Sequence, residues 1–385
     1  MSQQLPALSL YVHIPWCIQK CPYCDFNSHA LKHDIPEREY VARLLDDLRA
    51  DSAWSQGRPL SSIFIGGGTP SLFSADAINT LLRGIEKIVP LTADCEITLE
   101  ANPGTFETER FAGFVAAGVN RLSIGVQSLQ AEQLQALGRI HDPAQARTAA
   151  AHASTLGLRS FNLDLMHGLP GQTLQQAMTD LDGIIALNPP HISWYQLTIE
   201  PNTAFASRPP TLPEDETLWD IQEHGHAKLI AAGYHQYEVS AYAKPGHQST
   251  HNRNYWTFGD YLGIGCGAHS KITLPSNSKA QPRIIRCEKI KHPQGYLDLT
   301  RPLRYRLWDV AREELPFEFF MNYLRLFEAV PKQAFAQLTG IAPEYASTLL
   351  HEAMQKNLII EYDTHWQTTA LGRRYLNTIL DTLLA

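Results

Sequence analysis

Tyr11–Phe26 reads YVHIPWCIQKCPYCDF, an apolar strand candidate running into a loop with Cys17, Cys21 and Cys24 spaced C-x3-C-x2-C. Three thiols so spaced cannot lie along one regular helix face. They need a loop that curls around a compact object, and an iron–sulfur cube held by Cys thiolates is such an object. A four-iron cube held by three cysteines keeps one iron without a protein ligand, much as an open position marks a catalytic zinc site. Two other readings stay open at this point. His13 or His29 could complete a four-ligand zinc site, and disulfides are possible although three clustered cysteines pair badly.

Working outward, strands and helices alternate. Helices are predicted over 36–54, 75–88, 107–117 and 174–187, with two more stretches between 131 and 156. Strands are predicted over 61–65, 96–100, 121–127, 160–166 and 192–198. With the strand before the cysteines this makes six βα units, an α/β chain with a parallel sheet. Six units give a partial (β/α)6 barrel rather than a closed eightfold one. Polar residues and glycines collect at the strand ends: Gly66-Gly67-Gly68-Thr69, Glu100, Gln127 and Asp164. Ligands bind at the carboxyl edge of parallel sheets, so these ends and the cysteine loop are expected to share one site. The glycine run lets a ligand approach the backbone. It is neither a dinucleotide fingerprint nor a phosphate loop, since no Gly-Lys-Ser/Thr follows.

Beyond residue 200 a helix is predicted over 214–232, then strands over 236–243 and 283–288, extending the sheet or covering the barrel mouth. From about Arg301 the pattern turns helical: 317–327, 331–338, 343–356 and 371–384, with a hairpin at 358–362 and 366–369. This resembles a winged helix, but residues 301–385 carry nine Lys and Arg against ten Asp and Glu, without the excess a duplex binder needs. The reading is a small packing or partner-docking domain and three segments, 1–210, 211–300 and 301–385.

The 385 residues carry a formal net charge of -7, which argues against nucleic acid as a main partner. No leader-like N-terminus and no apolar run of membrane-spanning length is expected. Six cysteines are no disulfide framework, and a reducing cytoplasmic setting fits better.

Taken together, the cysteine spacing, Gly66–Ser71 (GGGTPS), Glu100–Pro103 (EANP), Ser123–Ser128 (SIGVQS), Leu137-Gly138-Arg139, Asp164–Gly171 (DLMHGLPG) and Leu197–Pro201 (LTIEP) resemble the radical S-adenosylmethionine (SAM) superfamily. The closer likeness is to its oxygen-independent coproporphyrinogen III oxidase group, over roughly residues 8–330. It implies a [4Fe-4S] cluster on Cys17, Cys21 and Cys24, and SAM on the open iron, whose reductive cleavage gives a deoxyadenosyl radical. Tyr11, Tyr23, Gly67, Gly68, Thr69, Glu100, Gln127, Arg139 and Asp164 match the group's SAM contacts. An electron donor for the cluster is implied too.

Two departures point to the haem-chaperone branch of that group. The oxidase carries another cysteine two places after its third cluster cysteine, where this chain has Phe26, and a long N-terminal extension, where this chain has 16 residues before Cys17. His251-Asn252-x2-Tyr255-Trp256 matches that branch's HNxxYW haem motif, as does Gly259–Ser270 (GDYLGIGCGAHS). The resemblance implies His251 as haem ligand, with Tyr255 and Trp256 flanking the porphyrin. Cys266 and His269 are alternative ligands, and Cys95 and Cys287 are read as structural. The implied function is a radical-SAM haem chaperone that delivers haem to haem-dependent respiratory enzymes, in the cytoplasm or at its membrane face, with a homodimer among the implied partners. The alternative is oxidative decarboxylation of coproporphyrinogen III.

Overall fold

The computed structural model describes residues 5–105, 108–275 and 282–384. Six parallel strands form first: β1 (Leu8–Ile14), β2 (Leu60–Gly67), β3 (Leu91–Ala101), β4 (Arg121–Gln127), β5 (Ser160–His167) and β6 (His191–Gln196). The connecting helices include α1 (Glu37–Asp51), α2 (Ala75–Ile88), α3 (Thr108–Ala117) and, between β5 and β6, α4 (Leu174–Ala186). The expected start of α3 at Glu107 lies outside the described residues. Each helix buries an apolar stripe against the outer face of the sheet. Leu44, Leu48, Leu81, Ile85, Phe111 and Phe114 all pack into one core with Leu10, Ile63 and Leu99. Local signals agree with the packing: Ser74 caps α2 and Thr173 opens α4 with a capping box.

The sheet goes on past both ends of this array. At one edge β7 (His235–Glu238) and β8 (Ala241–Ala243) add antiparallel to β6. These were expected as one strand over 236–243, and the turn at Val239-Ser240 divides them. At the other edge β9 (Asp260–Ile264) pairs parallel with β1. Then β10 (His269–Leu274), β11 (Arg283–Lys289) and β12 (Arg304–Asp309) follow antiparallel. Among the described residues the sheet has 12 strands, in the order β12-β11-β10-β9-β1-β2-β3-β4-β5-β6-β8-β7. The parallel array therefore has a seventh strand, β9, where a loop was expected. Likewise 304–309, expected to begin a helical region, is the outermost strand of the main sheet.

Between β8 and β9 the chain crosses from one edge to the other through a short helix, α5 (Thr250–Trp256), which carries HNxxYW. It packs against β1, β2 and β9 on the concave side of the sheet. That side holds buried polar side chains, among them Ser9, Ser62, Glu96, Arg121, Asn162 and His191, each under 6% exposed. A second core builds the C-terminal domain, where Phe319, Phe320, Phe335 and Trp366 pack around helices and a three-stranded sheet of Val330–Pro331, His365–Thr368 and Ile359–Glu361. Helices followed by this small sheet agree with the winged-helix-like expectation.

Candidate functional site

A cavity of about 520 Å³ opens at the carboxyl edge of the parallel strands. Cys17, Cys21 and Cys24 line it together with Tyr23, Gly67, Gly68, Thr69, Glu100, Gln127, Arg139 and Asp164. Thirteen residues were named for cluster, SAM and haem, and these eleven meet in one place. Tyr11 and His251 do not line it.

The cysteine loop is anchored by short-range and long-range bonds. Trp16–Cys17 pairs with His29–Ala30 in a small parallel ladder. Asn27 then ties the loop to distant chain: its Nδ2 donates to the carbonyls of Cys266 at 2.9 Å and Lys291 at 2.8 Å. All six cysteines are free thiols. Burial, then Cys24 and Cys21, push the Cys17 thiol up to about 11, so three thiolates here require positive charge among them. Arg139 supplies part of it, with Nη1 3.7 Å from Cys21 Sγ and Nη2 donating to Gly125 O at 2.7 Å, while its buried Nε has no partner. Among the described residues no three His, Cys, Asp or Glu side chains converge to hold a single ion. Three thiols set around a cavity, with a guanidinium beside them, fit a cluster better than one ion.

Glycines make room on the adjoining wall. A Cβ on Gly68 would strike the carbonyl of Trp16, and one on Gly66 would come within 3.1 Å of the Glu100 carboxyl. Gly67 donates its N–H to Glu100 Oε2 at 3.0 Å. Burial, then the charge of Asp164, push the Glu100 carboxyl up to about 8, against the lowering effect of that N–H. Asp164 is also raised by burial, although Asn162, Ser193 and Ser123 offset this. Two buried carboxyls that resist ionisation suit a ligand that brings positive charge. Gln127 ends β4 with φ 68°, beside a register shift against β5, and its Oε1 accepts from Tyr195 Oη at 2.8 Å.

Sequence reading missed the residues that hold these groups. Asn162 Nδ2 donates to Asp164 Oδ1 at 2.7 Å and to Ser123 Oγ at 2.9 Å. His191 joins Asn162 to Tyr237 through its two ring nitrogens, at 2.7 and 2.9 Å. Strand alternation was the available signal, since Ser123, Asn162, Asp164, His191 and Ser193 all occupy inward positions.

HNxxYW divides between two faces of α5. Asn252 and Trp256, four residues apart, open onto the cavity. His251 and Tyr255 face away from it. His251 is 2% exposed, its ring stacked on Phe64 (4.9 Å between centroids) and its Nδ1 3.2 Å from Ser62 Oγ. Burial lowers its pKa to about 3, so the ring is neutral, and Nε2 has no partner. Tyr11 also sits behind the cavity wall, with Oη 2.9 Å from His13 Nδ1. Of the alternatives, Cys266 is sealed, with its thiol pushed up to about 12 by burial. His269 stands at the outer rim of β10 beside Glu288. Cys95 and Cys287 are buried away from the cavity.

This geometry is that of a radical SAM protein, and the Radical SAM superfamily model matches residues 11–182. The HemN C-terminal domain model matches residues 310–375. In fold the chain is similar to the coproporphyrinogen III oxidase HemN of Escherichia coli, with a TM-score of 0.82 at 24% identity over 98% of this chain and 90% of that one. The heme chaperone HemW of Escherichia coli K12 is 57% identical, with 99% of both chains covered, and that of Haemophilus influenzae is 56% identical over the same shares. The Bacillus subtilis heme chaperone HemW is 33% identical over 98% of this chain and 99% of that protein. The chain belongs to the HemW family. Among the described residues no helix is long and apolar enough to cross a membrane.

Proposed function

We propose that this protein is a haem chaperone that keeps a [4Fe-4S] cluster, SAM and haem within reach of one another. The observation that carries this reading is that Asn252 and Trp256 of HNxxYW open onto the same cavity as the three cysteines. The names of its relatives, heme chaperone HemW, agree with it. So does Phe26, 60% exposed, where the oxidase group has a further cysteine.

Cys17, Cys21 and Cys24 hold the cluster in this reading. The bound cluster and SAM supply one-electron chemistry, and the protein orients them and keeps water out. Gly67, Gly68 and Thr69 give close backbone approach to the SAM amino end, and Arg139 is suited to its carboxylate. Glu100 and Asp164 would accept hydrogen bonds from the ribose hydroxyls, and Gln127 and Tyr23 would make further contacts to SAM. Tyr11 supports this wall from behind.

His251 is the candidate iron ligand, since its ring is neutral with a free Nε2. Reaching it requires α5 to shift, because Ser62 and Phe64 cover the ring. The recipients are haem-dependent respiratory enzymes, met in the cytoplasm at the membrane face. An external donor reduces the cluster, and the working form is a homodimer.

The test is anaerobic reconstitution with iron and sulfide, followed by parallel assays with haem and with coproporphyrinogen III. Stoichiometric haem binding without porphyrinogen turnover is the expected result. Turnover would replace the chaperone reading with the oxidase one. His251→Ala is expected to change the haem spectrum, and an unchanged spectrum and affinity would remove His251 as ligand.

A further inference from the structure

One wall of the cavity is assembled from three separate segments. Glu238 ends β7 and Ser240 lies in the turn after it, Asn252 and Trp256 come from α5, and Arg325 from the C-terminal domain. Three of its buried polar atoms have no partner: Glu238 Oε2, Trp256 Nε1 and Arg325 Nε. Each such atom costs about 1–3 kcal/mol when left unsatisfied. A native fold that gathers three on one cavity wall has a use for them.

Their chemistry is specific. The Arg325 guanidinium lies over the Trp256 ring, its carbon 4.5 Å from the centroid. The ring contact leaves Nε unpaired, and a guanidinium's planar fork of N–H donors matches a carboxylate. Trp256 Nε1 is a donor only. Glu238, 4% exposed, feels the Arg325 charge, which offsets part of the rise that burial imposes on its carboxyl, yet its Oε2 has no hydrogen-bond partner. The position of Arg325 is set by backbone rather than by its side chain: its carbonyl accepts from Val239 N at 3.0 Å, and Glu238 bridges to Leu326. The C-terminal domain thereby delivers one cation to a cavity built otherwise by the barrel.

We infer that Arg325 and the indole N–H of Trp256 form a carboxylate subsite for the edge of a planar ligand in the cavity that the cysteine loop also lines. The ligand's identity rests on the haem reading above, in which the carboxylate is a porphyrin propionate.

The experiment titrates the full-length reconstituted protein with three probes: haem, haem dimethyl ester and metal-free coproporphyrin. Wild type is expected to bind haem about tenfold or more tighter than its ester, the scale of one charged hydrogen bond. Arg325→Met removes that preference and leaves affinity for the ester within about twofold. Arg325→Lys, which keeps the charge without the fork and preserves the fold if the Met variant does not, is expected to fall between. SAM affinity stays unchanged in both.

Arg325→Met with the wild-type preference intact overturns the subsite while haem binding stands. So does equal wild-type affinity for haem and ester, or a loss that falls on SAM instead. Wild type binding coproporphyrin through Arg325 but not haem would sink the haem reading and keep the subsite. Binding none of the three would overturn both.

Discussion

The two walls of the cavity differ in how they are held. On the strand-end wall, Asp164, Asn162, Ser123, Ser193 and His191 bond to one another, so their polar groups are met within the fold. On the second wall Glu238, Trp256 and Arg325 meet in space but leave polar atoms unpaired. The first network is complete as folded, with only Arg139 Nε left over beside the cysteines, and the second group is complete only around a partner. Rigid, satisfied networks suit a cofactor that must be positioned, whereas unmet donors suit cargo that arrives and leaves.

The largest expected effect tests the cofactor side. Cys17→Ser, Cys21→Ser or Cys24→Ser should each abolish retention of reconstituted cluster iron, measured by iron and sulfide analysis, while leaving the fold intact by circular dichroism. Next is the support behind that side. Lys289, fully buried, pairs with Asp47 and Asp51, and Asp47 also accepts from Tyr296 Oη and Gly265 N. Lys289→Met leaves the buried Asp47 carboxylate without its cation, while Asp51 keeps Arg304, and should cost roughly 3–5 kcal/mol in denaturant unfolding.

Glu100 provides a pH test. Its carboxyl is raised from 4.5 to about 8 by burial and then by Asp164. Between those values the folded state holds a proton that the unfolded state has released. Stability therefore falls as pH rises through this window, by an amount on the order of a few kcal/mol. Glu100→Gln cannot ionise, so its melting temperature should decline less than wild type's over that range. Parallel declines would show that Glu100 ionises normally.

The most direct comparison of the walls is the smallest in size. Asn162→Leu removes one partner from Asp164 and one from His191 and should cost about 1–3 kcal/mol. Trp256→Phe removes an unpaired N–H and should leave ligand-free stability within about 0.5 kcal/mol of wild type while weakening haem binding. Equal costs for the two substitutions would erase the distinction between the walls.

Legibility in the sequence followed how local each signal is. The six βα units could be read because their apolar runs and helical stripes are continuous. β9 could not, because it lies within GDYLGIGCG, where glycines suggest loop. The structure gives a reason for one of them: a Cβ on Gly263 would strike the carbonyl of His269 on the neighbouring strand. β12, RYRLWD, is a charged edge strand without clean alternation, and charge is how exposed edges are kept from pairing further. The cysteine loop was legible because its spacing is carried by eight consecutive residues. The second wall joins Glu238, Trp256 and Arg325 across the chain, and no spacing encodes it. His251 shows a different gap: the motif was visible, but the helical phase that turns Asn252 and Trp256 to the cavity and His251 to Phe64 depends on how α5 docks.

The Asn27 tether has a consequence for how the protein is made. The residues that pin the cysteine loop lie 239 and 264 positions further along the chain. A ribosome releases the three cysteines early, but Cys266 and Lys291 emerge only after most of the barrel has been synthesised. During that interval the loop has its ligands without its brace. A product truncated before residue 266 would therefore carry the three thiols without this brace.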